Sequence, residues 1–452
     1  MALTKVRGKA VDGGTISTET AGTNNLILGS TAGDSIASGG NYNVCIGDEA
    51  GTALTTGDNN TAVGFEALST EDANGHNVAV GYRALKTLNA GADAQNTAVG
   101  YNAGLSITTG VENTLVGATA GDAITDADFN VGIGWGALGA NVLGSKSVAV
   151  GTAALDAQNP ASATDMHNTA VGHAAGGAVT TGYANTLMGS SAGDALTTGF
   201  NNVAIGKNAL GTEDTGRKNV AIGFSALATQ NGDSDNVNVA VGFEAGTAIT
   251  TGIKNTLIGA SAGDSIQDAQ LAIVVGYNAD TNGTGDGNQI VIGNNLTGAG
   301  ANNVKFGTSG GTATLGLDGS DTSWAASSDL RLKTNVADCA VGLDFIKDLR
   351  PITFKWNNKD AITNTLAQYD ATSSDPVYGS GKTQHGFIAQ EVKTAINAHS
   401  GLKDGFTMWS EDPDGTQQVA PSALIPMLTK ALQELSAKND ALEARIKKLE
   451  DG

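Results

Sequence analysis

Apolar and polar positions in this chain recur on a fixed step. From Asn25 a unit of the form Asn-x-x-apolar-Gly-x-x-Ala repeats, with its Gly at 29, 47, 64, 81, 100, 117, 134, 151, 172, 189, 206, 223, 242, 259, 276, 293 and 307. Of the 16 intervals, 11 are 17 residues long. Such a short period predicts one coil of a solenoid per unit, because a unit of that size cannot bury a face alone. The residue before each Gly is Val, Ile, Leu, Met or Phe, and the residue two earlier is Val, Thr, Leu or Ile. This alternation, rich in β-branched residues, predicts a strand ending at each Gly. The residue between them points the other way, yet it too is small or apolar, as at Ala62, Ala98, Leu115 and Leu187. A strand apolar on both faces wants cover on both. The coil interior covers one face, and a neighbouring chain, in a parallel homo-oligomer, is expected to cover the other.

The remaining positions fit that layout. Gly at the strand end permits a tight turn or a close backbone approach. Asn stands four residues before the Gly in 14 of 17 units, which suits a stacked ladder or a repeated turn cap. Ala three residues after the Gly leaves room for a thin core. At ~4.8 Å per layer, seventeen layers make a shaft of roughly 77 Å.

A longer cycle of four coils is superimposed. Units of Ala-Gly-x-Ala-Ile-Thr-Thr-Gly character are followed by Ser/Thr-Ala-Gly-Asp units and then by two Ala-Leu units. The long intervals fall at one place in this cycle, within 86–95, 156–167 and 228–237. Insertions repeated every fourth layer, ~19 Å apart, line one edge of a shaft, and that edge is the expected contact surface. Asp34, Asp122, Asp194 and Asp264 recur after Ala-Gly. They read as turn caps, because the denser Gly and Asp pattern of calcium-binding rolls is missing. No metal site and no cofactor is expected. The core Asn-Val-Ala-Ile-Gly, at 202–206 and 219–223, resembles the β-roll repeats of trimeric adhesin heads over about residues 25–307, with a triangular β-solenoid as the alternative geometry.

The pattern changes after Gly307. Residues 308–327 read as last strands and an exposed link. Leu343, Ile346 and Leu349 predict a helix within 342–358 that leads into a strand from Pro351 to Trp356, and a second helix begins in 387–399. At the C-terminal end Ile425, Leu428, Leu432, Leu435, Asn439, Leu442, Ile446 and Leu449 alternate by three and four, a heptad seam with one polar member.

Composition sharpens the division. The chain has 452 residues with 63 Gly and 6 Pro, without the Gly at every third position that collagen needs. Residues 1–330 carry 11 Lys and Arg against 29 Asp and Glu, and residues 331–452 carry 14 against 16. An acidic shaft repels nucleic acid, so no nucleic-acid partner is expected. Cys45 and Cys339 lie too far apart in the chain to suggest a disulfide framework or metal cluster. The first residues lack the apolar core of a signal peptide, and no run reaches the ~18 apolar residues of a membrane span.

The junction carries the chemistry. In Ser327-Ser328-Asp329-Leu330-Arg331-Leu332-Lys333, a Ser stands five residues before a Lys, which can act as its base when burial keeps the amine neutral. Together with Arg350-Pro351, Phe354, Trp356 and the run His385-Gly386-Phe387-Ile388-Ala389-Gln390-Glu391-Val392, this stretch resembles the C-terminal intramolecular chaperone domain of phage tail fibres, tailspikes and endosialidases. The resemblance implies Ser328 as nucleophile, Lys333 as base, Ser327-Ser328 as the scissile bond, and a homotrimer. His385 is a candidate to polarise the Ser, against a packing or backbone role. Glu391 is a candidate carboxylate near Lys333, against an exposed first-turn helix position. Ile and Asn at the a positions of the seam with Leu at d tend toward two strands, whereas the resemblance implies three.

The expected fold class is mainly β: a trimeric parallel β-solenoid or β-roll shaft of ~17-residue coils, followed by an α+β chaperone domain ending in a coiled-coil helix. The expected domains are an N-terminal arm over 1–24, the shaft over 25–307, the link over 308–327 and the chaperone over 328–452. The expected function is a phage tail fibre, assembled in the host cytoplasm and located in the virion. Its partners would be a cell-surface receptor or glycan and, through the arm, the tail or an adaptor. The only enzyme activity expected is single-turnover self-cleavage. A bacterial trimeric surface adhesin and a glycan-degrading tailspike are the alternatives. The first lacks a signal peptide and anchor here, and the second lacks a singular acid pair on the shaft.

Overall fold

The computed structural model describes residues 16–17, 20–233, 235–317, 325–326, 330, 333–364, 368–378, 381–402, 406–412 and 415–451. The chain divides into two compact units, 1–327 and 328–452.

The first unit is a mainly β solenoid. Each of the seventeen Gly positions follows or closes a strand, from Leu26–Leu28 and Val44–Ile46 through Val203–Ile205 to Ile290–Asn294 and Asn303–Thr308. Successive strands pair in parallel and in register, so that Ala204 lies against Ala221 and Ala221 against Ala240. The long intervals leave this ladder intact. Ala79 pairs with Ala98 and Ala149 with Ala170 across two of the insertions, because the extra residues leave the coil at its turns.

The two strand faces differ in role. The middle residue of each three-residue strand ending at a repeat Gly points inward and is buried, while its flanking residues are partly or largely exposed. The interior is completed by the Ala three past the Gly and by the residue seven past it, as with Ala98, Ala103 and Ile107, all fully buried.

Volume exchange inside the coil accounts for the Ala-Leu members of the four-coil cycle. Position four past the Gly is left-handed both where it is Gly, as at Gly121 (φ 56°), and where it is Leu, as at Leu138 (φ 58°) and Leu210 (φ 54°). A Cβ on Gly121 would lie 2.8 Å from both Leu115 and Ile124, so a Leu in the strand centre requires Gly there. In the Ala-Leu coils the strand centre is Ala or Gly, and Leu fills the vacated space. A left-handed Leu costs about 1–2 kcal/mol, and burying its side chain contributes about 1.5–3 kcal/mol, so the exchange is favourable.

The recurring Asn forms a buried ladder. Asn202 Oδ1 accepts from the Asn219 backbone N–H at 3.0 Å, its Nδ2 donates to the Gly216 carbonyl at 2.9 Å, and its own N–H donates to Asn185 Oδ1 at 3.0 Å. Each amide thus ties three successive layers. Where Ser147 replaces Asn, the buried Gln158 takes part, its Oε1 accepting from Ser147 Oγ and Asn168 Nδ2. Asn202→Ala orphans the buried Asn219 N–H and Gly216 carbonyl, and at about 1–3 kcal/mol per orphaned group the expected loss is about 2–6 kcal/mol. Faster amide hydrogen exchange confined to the coils around Asn219 is the expected observation, since a repeat array opens locally.

The ladder is closed at both ends by antiparallel strands. Ile16–Ser17 pairs with Leu26–Leu28. At the other end Gly311–Gly316 folds back along Asn303–Thr308 through the Ser309-Gly310 turn, and Ala325–Ala326 adds to its far side.

Among its described residues the second unit has three α-helices, α1 (Leu343–Asp348), α2 (Ala389–Ala398) and α3 (Ile425–Glu450), and two small antiparallel sheets. Phe345, fully buried, sits at its core with Leu349, Val392, Ile396, Met408 and Leu424.

Candidate functional site

The junction chemistry rests on Ser328 and Lys333. Ser327 and Ser328 lie outside the described residues. Lys333 is described and exposed, and its backbone N–H donates to the Leu330 carbonyl at 3.1 Å.

The neighbouring motifs assemble one small scaffold. The strand Ile352–Phe354 pairs antiparallel with Gln384–Gly386, which sets Thr353 opposite His385. Phe354 meets Trp356 edge to face at 5.1 Å, and Trp356 meets Tyr378 at 4.9 Å. A Cβ at Gly386 would lie 3.3 Å from the Phe354 ring, so a larger residue there would need the ring to shift by a few tenths of an ångström. These residues line an open cleft of about 730 Å³ together with His385, Phe387 and Gln418. His385 is exposed at this cleft.

Glu391 opens α2, and its carboxylate is engaged by the Arg350 guanidinium in a two-pronged pair of 3.0 and 2.5 Å. Arg350 holds the Glu391 carboxyl below its ordinary range. The pair links the Arg-Pro motif to the His-Gly-Phe motif, a connection that sequence spacing did not indicate.

Among the described residues of the unit, the seam of α3 is left largely uncovered. Ile425, Leu428, Leu432, Leu435, Leu442, Ile446 and Leu449 are between 43% and 76% exposed, while Ala431, on another side of the helix, is buried and Glu434 accepts the Leu343 N–H at the start of α1 at 2.9 Å. Asn439 is exposed in line with the seam, its Nδ2 donating to Glu443 at 3.0 Å.

On the shaft, the three insertions share one device. Asp93, Asp165 and Asp235, each seven residues before its Gly, pair with His76, Lys146 and Lys218 of the preceding coil at 3.3, 2.6 and 2.5 Å. Two interior carboxylates anchor the first and third insertions. Glu71 accepts from the Asn74 N–H at 3.1 Å and the Ala90 N–H at 3.4 Å, and burial pushes its carboxyl up. Glu213 accepts from Gly216 N–H, Gln230 Nε2 and Asn236 Nδ2. Both stand seven past the Gly, where most other coils place Leu, Ile or Val and three place the neutral amides Asn141, Gln158 and Gln230. That exchange was the signal in the sequence. Among the described residues no group of three or more His, Cys, Asp or Glu side chains is placed to hold a metal ion, and no helix is long and apolar enough to cross a membrane.

Comparison with known proteins adds one match. Residues 328–401 match the family described as the chaperone of endosialidase. No curated protein and no solved structure matches the chain.

Proposed function

We propose, from a C-terminal segment that matches the endosialidase-chaperone family from Ser328 onward, that this chain is a phage tail fibre. Its solenoid would be the host-contact shaft, and its C-terminal unit would trimerise the chains and then cut itself off. The observation that carries the reading is the coincidence of that match with the division of the chain into two units at the same residue. Two apolar surfaces support assembly: the exposed seam of α3 and the half-exposed outer face of the shaft strands, where Ile133, Met188 and Ile258 are 38–45% exposed.

A chaperone is needed for a physical reason. Parallel ladders form from contacts distant in sequence and are slow to register. Coils are also interchangeable here, since Asn-Val-Ala-Ile-Gly occurs in two successive layers. Three C-termini held together by a coiled coil start every chain in the same register. The cleavage proceeds in two balanced steps. Neutral Lys333 takes the Ser328 Oγ proton, Oγ bonds to the Ser327 carbonyl carbon, the C–N bond breaks, and the proton passes to the freed Ser328 amine. Water then adds to the ester and restores the Oγ–H, leaving a Ser327 carboxylate. Lys333 is exposed in the single chain, and its enclosure by packing of the three C-terminal units would switch the reaction on. Release of the unit makes the trimer kinetically irreversible.

The test is the product of the whole gene. A native mass of three shafts, with a separate fragment whose first residue is Ser328, is the expected result. A lone chain that keeps residues 328–452 would end the reading.

A further inference from the structure

The residues directly after the repeat Gly form an outer column of the shaft. The Thr119 N–H donates to the Tyr101 carbonyl at 2.8 Å and the Gly136 N–H to the Ala118 carbonyl at 3.1 Å, which sets Tyr101, Ala118 and Trp135 in three successive layers. Ser261 and Asn278 donate in the same way to Phe243 and Ala260, at 2.8 and 3.0 Å, and set Phe243, Ala260 and Tyr277 in line. Aromatic rings fill part of this column face to face. Tyr82 and Tyr101 stack at 5.3 Å with 6° between their planes, and Phe224 and Phe243 at 5.2 Å with 11°. Each stack is then broken by an alanine, Ala118 or Ala260, and the column resumes with Trp135 or Tyr277. The four aromatics that bound these gaps are 52–62% exposed, against 37–40% for the stacked Tyr82 and Phe224. The middle repeat has Ser190 between His173 and Lys207 at the same place and forms no such gap.

We propose that the two gaps are slots for one pyranose ring each, and that their ligand is a neutral glycan of all-equatorial sugars, such as β-linked glucose or N-acetylglucosamine. The inference rests on the host-contact reading of the shaft and names what the shaft would hold. Tyr101 and Trp135 are two strand spacings apart, about 9.6 Å, with the half-buried Ala118 as the floor between them. Carbon contacts take about 3.5–4.0 Å on each side, so a flat ring leaves the slot slack, whereas a chair thickened by axial C–H bonds fills it. Both faces of the sugar then meet an aromatic residue, which calls for axial C–H on each face. An axial hydroxyl would be pressed there without a partner. Each floor alanine is followed by a half-buried hydroxyl residue, Thr119 or Ser261, at the rim where equatorial hydroxyls leave the slot. The acidic shaft, with 29 Asp and Glu against 11 Lys and Arg over 1–330, disfavours anionic sugars. The slots lie eight layers apart, about 38 Å, so a dense glycan surface engages both, and contacts that are weak singly gain by multivalency.

The experiment titrates the purified protein with triacetylchitotriose, cellotriose and, as the sugar with axial hydroxyls, mannotriose, by saturation-transfer NMR and calorimetry. Binding of at least one of the first two with a Kd of about 1 mM or tighter, and about fivefold or more weaker binding of mannotriose, is the expected result. Two double variants approach the slots from opposite sides. Trp135→Ala with Tyr277→Ala removes one wall of each, and Ala118→Phe with Ala260→Phe fills each with a ring that continues the stack. Both should weaken binding by about tenfold or more, the scale of one lost aromatic stacking contact, with native mass and melting temperature kept. Full binding in either variant, or equal binding of mannotriose, overturns the slots. A changed native mass in either variant overturns them too, because the column would then be packing against another copy of the chain. Wild-type protein that adheres to bacterial cells yet binds neither chitotriose nor cellotriose overturns the slots alone. Adhesion to no cell in a broad bacterial panel overturns the host-contact reading, whatever the sugars do.

Discussion

Ser328→Ala is expected to leave the chain as one 452-residue polypeptide, with cleavage reduced by at least about 10³-fold, the scale on which loss of a nucleophile acts in enzymes. No other hydroxyl on Ser328's side of the bond reaches the Ser327 carbonyl through so small a ring, so water attack on an ordinary peptide would be all that remains. Lys333→Ala should act in the same direction. Lys333→Arg should be as inactive as Ala, because a guanidinium keeps its proton and cannot accept one from Oγ. All three variants should still reach the native mass of the uncut trimer, since the α3 seam and the Phe345 core are untouched. They should also recover that mass after chemical unfolding, whereas the cleaved wild type should not, having lost its alignment device. A denaturing gel and native mass spectrometry read both effects. Normal fragments from Ser328→Ala would remove the proposed chemistry.

Gly206→Val is expected to prevent the central shaft from forming in register. Gly206 has φ 132°, and a Cβ there would lie 2.3 Å from the Gly223 carbonyl oxygen, a backbone atom fixed by the next layer. The Gly223 N–H donates to the Ile205 carbonyl at 2.7 Å in the same ladder, so the layers cannot part without losing that bond. Backbone strain of about 1–3 kcal/mol adds to overpacking of about 1–3 kcal/mol, and a β-branched residue suits this backbone worst. The expected total of about 2–6 kcal/mol falls on one coil and its neighbours. Gly311→Ala is the matched control. A Cβ there meets nothing within 4 Å, and its expected effect is within about 1 kcal/mol. Protease-sensitive chain near 190–225 in the first variant, and an intact shaft in the second, are the expected digests. Equal resistance in both would show that the layers do not approach as closely as this geometry requires.

Several elements were legible before any coordinates. The strand at every Gly followed from alternation, and the thin core followed from Ala three residues on. The helix at 343–348 and the seam from Ile425 to Leu449 followed from helical spacing. The Asn column left a ladder and a turn cap both open, and the structure gives the ladder, with each side chain bonded to the layers on either side. The α1 helix is shorter than the window that suggested it, because Pro351 and the extended Leu349 end it. At the candidate site the motif residues were found in order, yet their partners were not. The Arg350–Glu391 pair joins residues 41 positions apart, and the Asp clamps on the insertions join coils 17–19 residues apart. Neither spacing has a local signature.

The repeat by itself determined that this protein is a stack of equal coils with a different domain behind it, because a fixed period forces every layer to meet the same neighbours. Only the tertiary structure decided which strand face points inward. Both faces are apolar, and the choice depends on how the Gly-ended turns close each coil around the middle residue. It also decided that Leu stands four past the Gly only where the strand centre is Ala or Gly, a balance of volumes that no single coil reveals. The placement of Ala325–Ala326 on the last sheet belongs to the same class. Two alanines carry no pattern of their own, and their pairing exists only once the strand beside them is in place.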